Sequence, residues 1–345
     1  MSSTRKSTGE LTEQPRVSIV MPTYNRGYIV RDAIESALNQ DYDSFELLVV
    51  DDGSTDDTHE IVETLHNDRI RYIRHDRNRG YSAGCNTGIA AARGYFVAFL
   101  DSDDIWKPNY LARQVSFLNR HCEVDVAFCD TEIQDQLTTT PSLISLMRSF
   151  PKLLQSGSET EYTFSGRQIY LCLLEEIPIK PTAAVIKRET IERAGGFDES
   201  WPSGTDWDVF LRLSRIARFG YINLALVIQR RTQDATHQKF REDDKLFLLS
   251  VFLKEKASLK GDPEALRAVN RGLVDHYNGV AWNCLEAKRK LDALSVYLSG
   301  FWETLDPMML IKAAASVVPS RVRSNVRNAV KAAVHKLTVT NGSQG

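Results

Sequence analysis

The sequence contains no uninterrupted apolar run long enough to cross a membrane. A membrane-spanning helix needs about 18 apolar residues in succession, and the longest candidate, residues 308–318, is shorter and carries Lys312. The first sixteen residues, MSSTRKSTGELTEQPR, are polar and lack the apolar core of a signal peptide. These two absences predict a cytoplasmic protein.

The sequence also lacks a large excess of either charge. The chain has 345 residues, of which 43 are Lys or Arg and 45 are Asp or Glu, so its formal net charge is −2. A nucleic-acid-binding domain is usually strongly basic. The near-neutral balance therefore predicts no nucleic-acid partner.

Cysteine pairs with the CxxC spacing are absent. The five cysteines are an odd, unpatterned set: Cys85, Cys122, Cys129, Cys172 and Cys284. Such a set is typical of reduced thiols in a cytosolic protein, where each packs as a small apolar side chain.

Two common phosphate-binding signatures are missing. A dinucleotide-binding fold would carry G-x-G-x-x-G after its first strand, whereas PTYNRGY, residues 22–28, has a single glycine. The P-loop pattern G-x-x-x-x-G-K-[ST] is absent from the whole chain. These absences disfavour a Rossmann dehydrogenase and exclude a P-loop NTPase.

The N-terminal half alternates between apolar, β-branched runs and segments with helical periodicity. Strands are predicted at 17–22, 45–53, 70–75 and 95–100, and helices at 27–40, 55–67 and 81–94. Ser54 and Thr55 are candidate N-caps of the second helix. Continuous apolar strands separated by helices predict an α/β fold with a mostly parallel central sheet covered by helices on both faces.

Shorter strands and then helices follow. Strands are predicted at 124–130 and 221–230, a loop with short helical pieces at 131–165, and an amphipathic helix at 205–217. We expect a disordered polar N-terminus at 1–15, an α/β domain at 16–237 and a helical C-terminal region at 238–345 ending in a short disordered tail. Its last helix, 320–337, is basic and amphipathic, so it either lies on an anionic membrane surface or packs on neighbouring helices.

Carboxylates follow two of the predicted parallel strands. Asp51 and Asp52 end the second strand, and Asp101, Asp103 and Asp104 follow the fourth. Carboxyl ends of neighbouring parallel strands border one ligand crevice, and clustered carboxylates without His or Cys favour Mg²⁺ or Mn²⁺. The pattern predicts a site for a metal-bound diphosphate. An aspartyl phosphatase also uses a D-x-D motif, but normally after its first strand.

Five motifs, taken in order, resemble one known family. VSIVMPTYNR, LLVVDDGSTDDT, FLDSDDIWKP, GGFDE and TDWDVFLRL are similar to the motifs of family 2 glycosyltransferases with the GT-A fold, over about residues 16–235. The resemblance implies an inverting, metal-dependent, hexosyltransferase-like enzyme. It would transfer a sugar from a nucleoside diphosphate sugar to an acceptor hydroxyl in polysaccharide, glycolipid or other glycoconjugate synthesis.

The resemblance also implies roles for residues of the donor site. Pro22, Thr23 and Tyr24 correspond to the segment that lines the nucleotide pocket. Asp52 corresponds to the residue that reads the base, and a carboxylate can accept the N3–H of uracil or thymine, which favours a UDP- or dTDP-sugar. In the D-x-D motif, Asp103 corresponds to the ligand of Mn²⁺ or Mg²⁺, and Asp101 supports the ribose or a metal-bound water. We expect Asp104 to be a turn residue.

By the same resemblance, Asp206 is the catalytic base. The alternative is that it only neutralises a helix N-terminus, and Asp208, two positions later, points elsewhere on a helix. Thr205 and Cys85 replace an acidic and a basic residue that are usual in the family. His237 is a candidate phosphate or metal contact, or simply a solvated loop residue.

The acceptor side carries no readable motif. We expect a carbohydrate or lipid-linked acceptor to contact residues 131–180 and the helical region. Four aromatic residues are candidates either for stacking on sugars or for core packing: Tyr162, Phe164, Trp201 and Trp207. Because Thr205 and Cys85 depart from the family pattern, a non-catalytic nucleotide-sugar or carbohydrate-binding module on the same fold is the main alternative.

Overall fold

A computed structural model describes residues 14–135, 137–154, 159–201, 203–231 and 242–317. His237, the predicted basic helix at 320–337 and most of the polar N-terminus lie outside these ranges. Within them, no helix combines the length and the apolar character that a membrane span requires.

The N-terminal half forms a parallel sheet. Its elements are β1 (Val17–Thr23), α1 (Gly27–Leu38), β2 (Phe45–Asp51), α2 (Thr58–Glu63), β3 (Ile70–Arg74), α3 (Tyr81–Ala91) and β4 (Phe96–Phe99). The strands lie side by side in the order β3-β2-β1-β4, and each neighbouring pair is parallel. This part of the sheet agrees with the sequence prediction.

Helix α2 is shorter than predicted and begins later. Its N-cap is Asp57, not Ser54 or Thr55. The Ser54 hydroxyl instead accepts the backbone N–H of Asn25 at 2.9 Å, and its own N–H donates to Asp51 at 2.8 Å. These bonds hold Ser54 in the turn after β2, so the helix starts beyond it.

The second half makes the sheet mixed. Its elements are β5 (Ile105–Trp106), α4 (Tyr110–Arg120), β6 (Val126–Gln134), β7 (Thr139–Thr140), β8 (Glu161–Phe164), α5 (Gly166–Leu173), β9 (Ala184–Lys187), α6 (Arg188–Arg193), α7 (Thr205–Ser214) and β10 (Phe219–Arg230). The main strand order is β3-β2-β1-β4-β9-β6-β10-β5, with β7 on β6 and β8 on β10. Strand β9 is antiparallel to both β4 and β6, whereas β6 and β10 are parallel.

The stretch 131–165 is more ordered than a loop with helical pieces. Two 3₁₀ segments, Ile144–Leu146 and Phe150–Leu153, agree with the prediction. However, β6 continues to Gln134 and pairs with β7, and β8 pairs with β10. Residues 131–134 are mostly polar, so the sequence pattern did not indicate that β10 extends the strand by pairing with it.

Successive residues of the central strands face opposite sides of the sheet, which divides the core in two. On one side, Met21 packs with apolar residues of α1 and α4. On the other, Val20 belongs to a cluster that includes residues of α3, α5 and α7 and reaches Phe252 and Leu273 in the C-terminal helices. The C-terminal helices therefore share a hydrophobic core with the sheet domain.

Four helices make up the described C-terminal region: α8 (Glu242–Ser258), α9 (Pro263–Glu286), α10 (Lys290–Thr304) and α11 (Pro307–Val317). Asp262 caps α9 by accepting the backbone N–H of Ala265 at 3.0 Å, and Pro263 occupies the first turn. Asp262 also pairs with Arg167 of α5 at 2.6 Å. Helix α9 is thus attached directly to the sheet domain.

Candidate active site

The turn after β4 gives its three aspartates different environments. The backbone N–H of Asp104 donates to the Asp101 carbonyl oxygen at 2.9 Å, which closes the turn. The Asp104 side chain is only 2% exposed and accepts the backbone N–H of Arg230 at 3.3 Å. The Asp103 carboxylate is 20% exposed and lies 3.6 Å from the Arg26 guanidinium. Asp104 is therefore a buried turn residue, and Asp103 remains accessible.

Asp101 lies in a crowded acidic environment. Its carboxylate accepts the Tyr81 hydroxyl at 2.9 Å. Burial, followed by repulsion from Asp103, raises the pKa of Asp101 to about 7, and Asp206 adds a smaller repulsion. Asp101, Asp103 and Asp206 therefore lie close enough to interact in one crevice, although about 100 residues separate the first two from the third.

Asp206 stands in the first turn of α7. The helix begins after Gly204, which has φ 66° and would bring a Cβ to 3.1 Å from Leu248. One oxygen of Asp206 lies 3.4 Å from the Lys180 ammonium, and the carboxylate is 25% exposed. Asp206 is therefore oriented by a cation and by the helix N-terminus, and it still reaches solvent.

The neighbouring carboxylate, Asp208, has a structural partner. It forms an ion pair with Arg212, whose Nε donates to Asp208 at 2.9 Å. Arg212 in turn donates to the carbonyl oxygen of Gly196 at 2.8 Å. Asp208 therefore ties α7 to the glycine turn after α6 and takes no part in the acidic crevice.

At the end of β2, Asp52 organises a backbone loop. Its carboxylate is 4% exposed and accepts the backbone N–H groups of Arg79 at 2.9 Å and Gly80 at 2.7 Å, and it contacts the His75 ring at 2.7 Å. Gly53 allows the loop that contains Arg77 to pack against the end of β2, because it has φ 77° and a Cβ there would lie 2.8 Å from the Arg77 backbone. The Arg79 N–H also lies 3.0 Å from the second carboxylate oxygen, so the loop engages both oxygens of Asp52.

The end of β1 borders the same loop. The backbone N–H of Asp52 donates to the Thr23 carbonyl oxygen at 2.8 Å, which joins the ends of β1 and β2. Pro22 and Thr23 are buried, whereas the Tyr24 ring is 42% exposed. An exposed aromatic ring at this end of the sheet is suited to stacking on a base.

Three basic residues of the site carried no clear signal in the sequence. Lys180 follows a short loop after α5, Arg26 closes the first motif and Arg230 ends β10. Arg230 donates to the Asp103 carbonyl oxygen at 2.6 Å and to the Asp32 carboxylate at 2.7 Å. These cations surround the acidic crevice.

Cys85, at the position where the family resemblance implied a basic residue, lies in α3 and is fully buried. Burial, followed by repulsion from Asp101, raises the pKa of the Cys85 thiol. The next residue, Asn86, donates to the Phe197 carbonyl oxygen at 2.8 Å and so anchors the GGFDE motif on α3. At the position of Cys85 the crevice therefore has no cationic side chain.

Comparison with known proteins decides the family. The model of "Glycosyl transferase family 2" matches residues 18–189, which include the acidic turn after β4. The chain belongs to glycosyltransferase family 2. Several curated relatives support the assignment. An uncharacterised glycosyltransferase of Rickettsia typhi is 30% identical over 225 residues, which are 65% of this chain and 66% of the relative.

Two further relatives of this family 2 glycosyltransferase match over shorter regions. An uncharacterised glycosyltransferase of Haemophilus influenzae is 37% identical over 52% of this chain and 64% of its own length. The Escherichia coli protein UDP-Glc:alpha-D-GlcNAc-diphosphoundecaprenol beta-1,3-glucosyltransferase WfgD is 42% identical over 30% of this chain and 40% of its own. The chain spans two thirds or less of the length of these three relatives.

Solved structures confirm the predicted GT-A fold. S. aureus TarS in complex with UDP-GlcNAc has a TM-score of 0.63 at 21% identity, covering 91% of this chain and 88% of TarS. The mannosyltransferase PcManGT from Pyrobaculum calidifontis, in complex with GDP-Man and Mn²⁺, has a TM-score of 0.55 at 22% identity. The match covers 94% of this chain and 87% of PcManGT. Both coverages extend into the C-terminal helices of this family 2 glycosyltransferase.

Within the described ranges, no group of three or more His, Cys, Asp and Glu side chains has the geometry to hold a metal ion by itself. The D-x-D motif of this glycosyltransferase offers two carboxylates, Asp101 and Asp103. Two oxygen ligands fit an ion such as Mg²⁺ or Mn²⁺ that takes its other ligands from water and substrate phosphates.

Proposed function

We propose that this glycosyltransferase is an inverting, metal-dependent enzyme that transfers a sugar from a UDP- or dTDP-sugar to an acceptor hydroxyl in the synthesis of a cell-envelope glycan. The observation that carries the proposal is the convergence of Asp101, Asp103 and Asp206 in one crevice. The first two suit a metal-bound diphosphate, and the third suits proton transfer.

Asp206 is proposed as the general base. Its carboxylate is partly exposed, and Lys180 holds it at 3.4 Å while the first turn of α7 directs it into the crevice. An acceptor hydroxyl within hydrogen-bond reach would lose its proton to Asp206 as the oxygen attacks the anomeric carbon. A base on the side opposite the departing diphosphate leads to inversion at that carbon.

Asp103 is the proposed metal ligand, with Asp101 in support. Burial, followed by repulsion from Asp103, raises the pKa of Asp101, and a divalent cation would favour the ionised carboxyl because it compensates the negative charge. When bound, Mn²⁺ or Mg²⁺ neutralises charge that develops on the departing diphosphate. The Arg26 guanidinium, 3.6 Å from Asp103, is well placed to contact a phosphate oxygen as well.

The donor is proposed to carry uracil, with thymine as the second choice. The Asp52 carboxylate is a hydrogen-bond acceptor, which suits the single N3–H of either base. The name of the E. coli relative includes UDP-Glc, and TarS was solved with UDP-GlcNAc, although PcManGT was solved with GDP-Man. Pro22, Thr23 and Tyr24 would line the nucleotide pocket.

The acceptor is proposed to be a carbohydrate or a lipid-linked sugar of the cell envelope. The E. coli relative is named for a GlcNAc-diphosphoundecaprenol acceptor, and a Bacillus subtilis relative, 37% identical over 112 residues, is named as a putative teichuronic acid biosynthesis glycosyltransferase. All five cysteines lie in the described ranges and are free thiols, which supports a reducing, cytoplasmic location.

Peripheral attachment to an anionic membrane is also proposed. One side of α10 exposes an apolar stripe, and the basic run 288–290 lies at its start. The stripe consists of Leu291, Leu298 and Trp302, and the exposed Leu305 follows directly after the helix. Spacings of seven and four residues keep the first three side chains on one helix face. Flotation with phosphatidylglycerol vesicles should recover the protein, and no enrichment over phosphatidylcholine vesicles would contradict the attachment.

One experiment tests the enzymatic proposal. The purified chain is mixed with UDP-, dTDP- and GDP-sugars with and without Mn²⁺, and both thermal stabilisation and nucleotide release are recorded. We expect a UDP- or dTDP-sugar to stabilise the fold and to be turned over. Stabilisation without any nucleotide release in the presence of acceptors would favour the non-catalytic binding module.

A further inference from the structure

A cleft of about 380 Å³ opens beside the proposed base. Residues 146–148, at and just after the end of the first 3₁₀ segment, form one side, the loop with residues 175–180 forms another, and α9 contributes Asp275 and His276. Lys180 belongs to both places, because it lines the cleft and its ammonium lies 3.4 Å from Asp206. A molecule in this cleft would therefore lie beside the Lys180 side chain that contacts the proposed base.

We propose that this cleft binds an uncharged glycosyl unit of the acceptor, and that helix α9 of the C-terminal region completes the acceptor site. The inference rests on the proposed transferase function and deepens it. It specifies which part of the acceptor enters the cleft and which elements recognise it.

An aromatic ring is fixed at the base of the cleft. The indole N–H of Trp207 donates to the Leu173 carbonyl oxygen at 2.6 Å, so the polar end of the ring is satisfied within the protein. The ring packs on Phe252 at 5.1 Å and on His276 at 5.2 Å between centroids. A rigid aromatic surface of this kind is suited to the apolar face of a pyranose ring.

Apolar side chains continue this surface, and the histidine adds no charge. Met147 and Ile177 line the cleft together with Trp207. Burial lowers the pKa of His276 to about 4, so its ring is neutral at physiological pH. The lining therefore combines apolar side chains with a few polar and charged groups, the composition usual for small-molecule sites.

The charged residues at the rim favour an uncharged ligand. The lining contains two cations, Arg148 and Lys180, and three carboxylates, Glu175, Glu176 and Asp275, so its formal charge is 2 − 3 = −1. Both cations already pair with carboxylates, Arg148 with Asp275 and Lys180 with Asp206. A diphosphate would face net repulsion here, whereas sugar hydroxyls can donate to the remaining carboxylate lone pairs.

The carboxylates are held in place by other groups. Glu175 pairs with Arg271 of α9 at 2.5 Å, and Glu176 accepts the backbone N–H groups of Ser149 at 2.7 Å and Phe150 at 2.9 Å. The Glu175–Arg271 pair joins the sheet domain to α9, and the Glu176 contacts fix the loop within the sheet domain. The cleft therefore has a defined shape before a ligand enters, which lowers the free-energy cost of binding.

The test fills the cleft from α9 and uses a matched control on the same helix. Asp275→Trp introduces a large ring at the rim, whereas Arg267→Trp places the same ring on an exposed position of α9 outside the lining. UDP release from a UDP-sugar is measured with octyl glycosides of glucose, galactose, N-acetylglucosamine and mannose as acceptors. Leu146→Asp, at a lining residue that is 61% exposed, serves as a second cleft variant if the first misfolds.

We expect an octyl glycoside to stimulate UDP release by the wild type. The cleft variants should raise the acceptor KM by about tenfold or more, because a filled or altered cleft binds the acceptor less tightly. Their donor KM and their acceptor-free hydrolysis should stay at wild-type values, and Arg267→Trp should behave as the wild type.

A second pair of variants distinguishes acceptor binding in the cleft from the attachment of α9 to the sheet domain. Arg148→Ala breaks the ion pair to α9 at the cleft, and Arg167→Ala breaks the ion pair to α9 at Asp262, away from the lining. Only the first should raise the acceptor KM. An equal effect of both would overturn the inference, because it would mean that α9 matters only through its attachment.

Three other results would overturn the inference. One is donor hydrolysis without stimulation by any octyl glycoside. A second is stimulation only by undecyl GlcNAc-α-diphosphate, which would show that the site requires a charged ligand. A third is an unchanged acceptor KM in both cleft variants. Failure to bind or hydrolyse any nucleotide sugar would instead reject the proposed function itself, so the two failures are distinguishable.

Discussion

The Lys180 ammonium lies 3.4 Å from the Asp206 carboxylate and joins a loop after α5 to the first turn of α7. Sequence motifs indicated Asp206, but not its partner. The contact orients the carboxylate toward the crevice that holds Asp101 and Asp103. Lys180 also lines the cleft to which α9 contributes, so it connects the crevice with that cleft.

Asp206→Asn should remove transfer while donor binding is retained. An amide cannot take the acceptor proton, and a positioned general base contributes about 10²- to 10⁴-fold to the rate. The rate is measured as acceptor-stimulated UDP release, and donor binding as thermal stabilisation by UDP. Asp208→Asn is the control, since Asp208 pairs with Arg212; it should lower the melting temperature and leave kcat unchanged. Normal transfer by Asp206→Asn would show that another group is the base.

Asp103→Ala should abolish metal-dependent turnover. The variant loses the accessible carboxylate of the D-x-D motif, so a divalent ion would be held less firmly at the diphosphate. Activity is titrated with Mn²⁺, and the wild type is assayed after EDTA treatment. Asp32→Ala removes an exposed carboxylate that pairs with Arg230 at 2.7 Å and should keep the Mn²⁺ dependence of the wild type. Full activity of the EDTA-treated wild type would reject the metal assignment and leave the base assignment standing.

Gly272→Ala should loosen helix α9 from the sheet domain. A Cβ at this position would lie 2.2 Å from the Leu174 carbonyl oxygen, so the helix must shift. Overpacking of this kind costs about 1–3 kcal/mol of unfolding free energy. In the same helix, Gly279→Ala meets no atom within 4 Å and should be neutral or stabilising by up to about 1 kcal/mol. Urea titration compares the two, and equal stabilities would mean that α9 is not docked closely at Gly272.

His276 should make stability depend on pH. Its pKa is lowered to about 4 in the fold, mainly by burial, and is about 6.5 in the unfolded chain. Between these values the folded state binds fewer protons at His276 than the unfolded chain does. The contribution of the neutral His276 to stability is therefore fully present above about pH 6.5 and is lost as pH falls toward about 4. His276→Phe should flatten this part of the melting-temperature profile between pH 7 and 4.5. His121→Gln, which alters a half-exposed histidine, should retain the wild-type slope.

Much of the fold and part of the site could be predicted from sequence. Buried parallel strands give continuous apolar runs, so β1, β2 and β4 were recognisable, and the acidic residues at their ends were expected to meet. Strand β7 and the full length of β6 were not predicted, because their residues are polar and pair through the backbone. Lys180, Arg148 and His276 carried no local signal, since each gains its role from a neighbour far away in the chain.

By itself, the sequence determined the alternation of strands and helices, the order of the motifs and the chemistry available at Asp101, Asp103 and Asp206. Apolar periodicity and the geometry of parallel strands are local properties, and they carry this information directly. Tertiary structure decided which carboxylates remain accessible to a ligand and which are taken up by protein partners. It buries Asp104, engages Asp52 with a backbone loop and pairs Asp206 with Lys180, because burial and hydrogen-bond partners arise only when distant segments pack together.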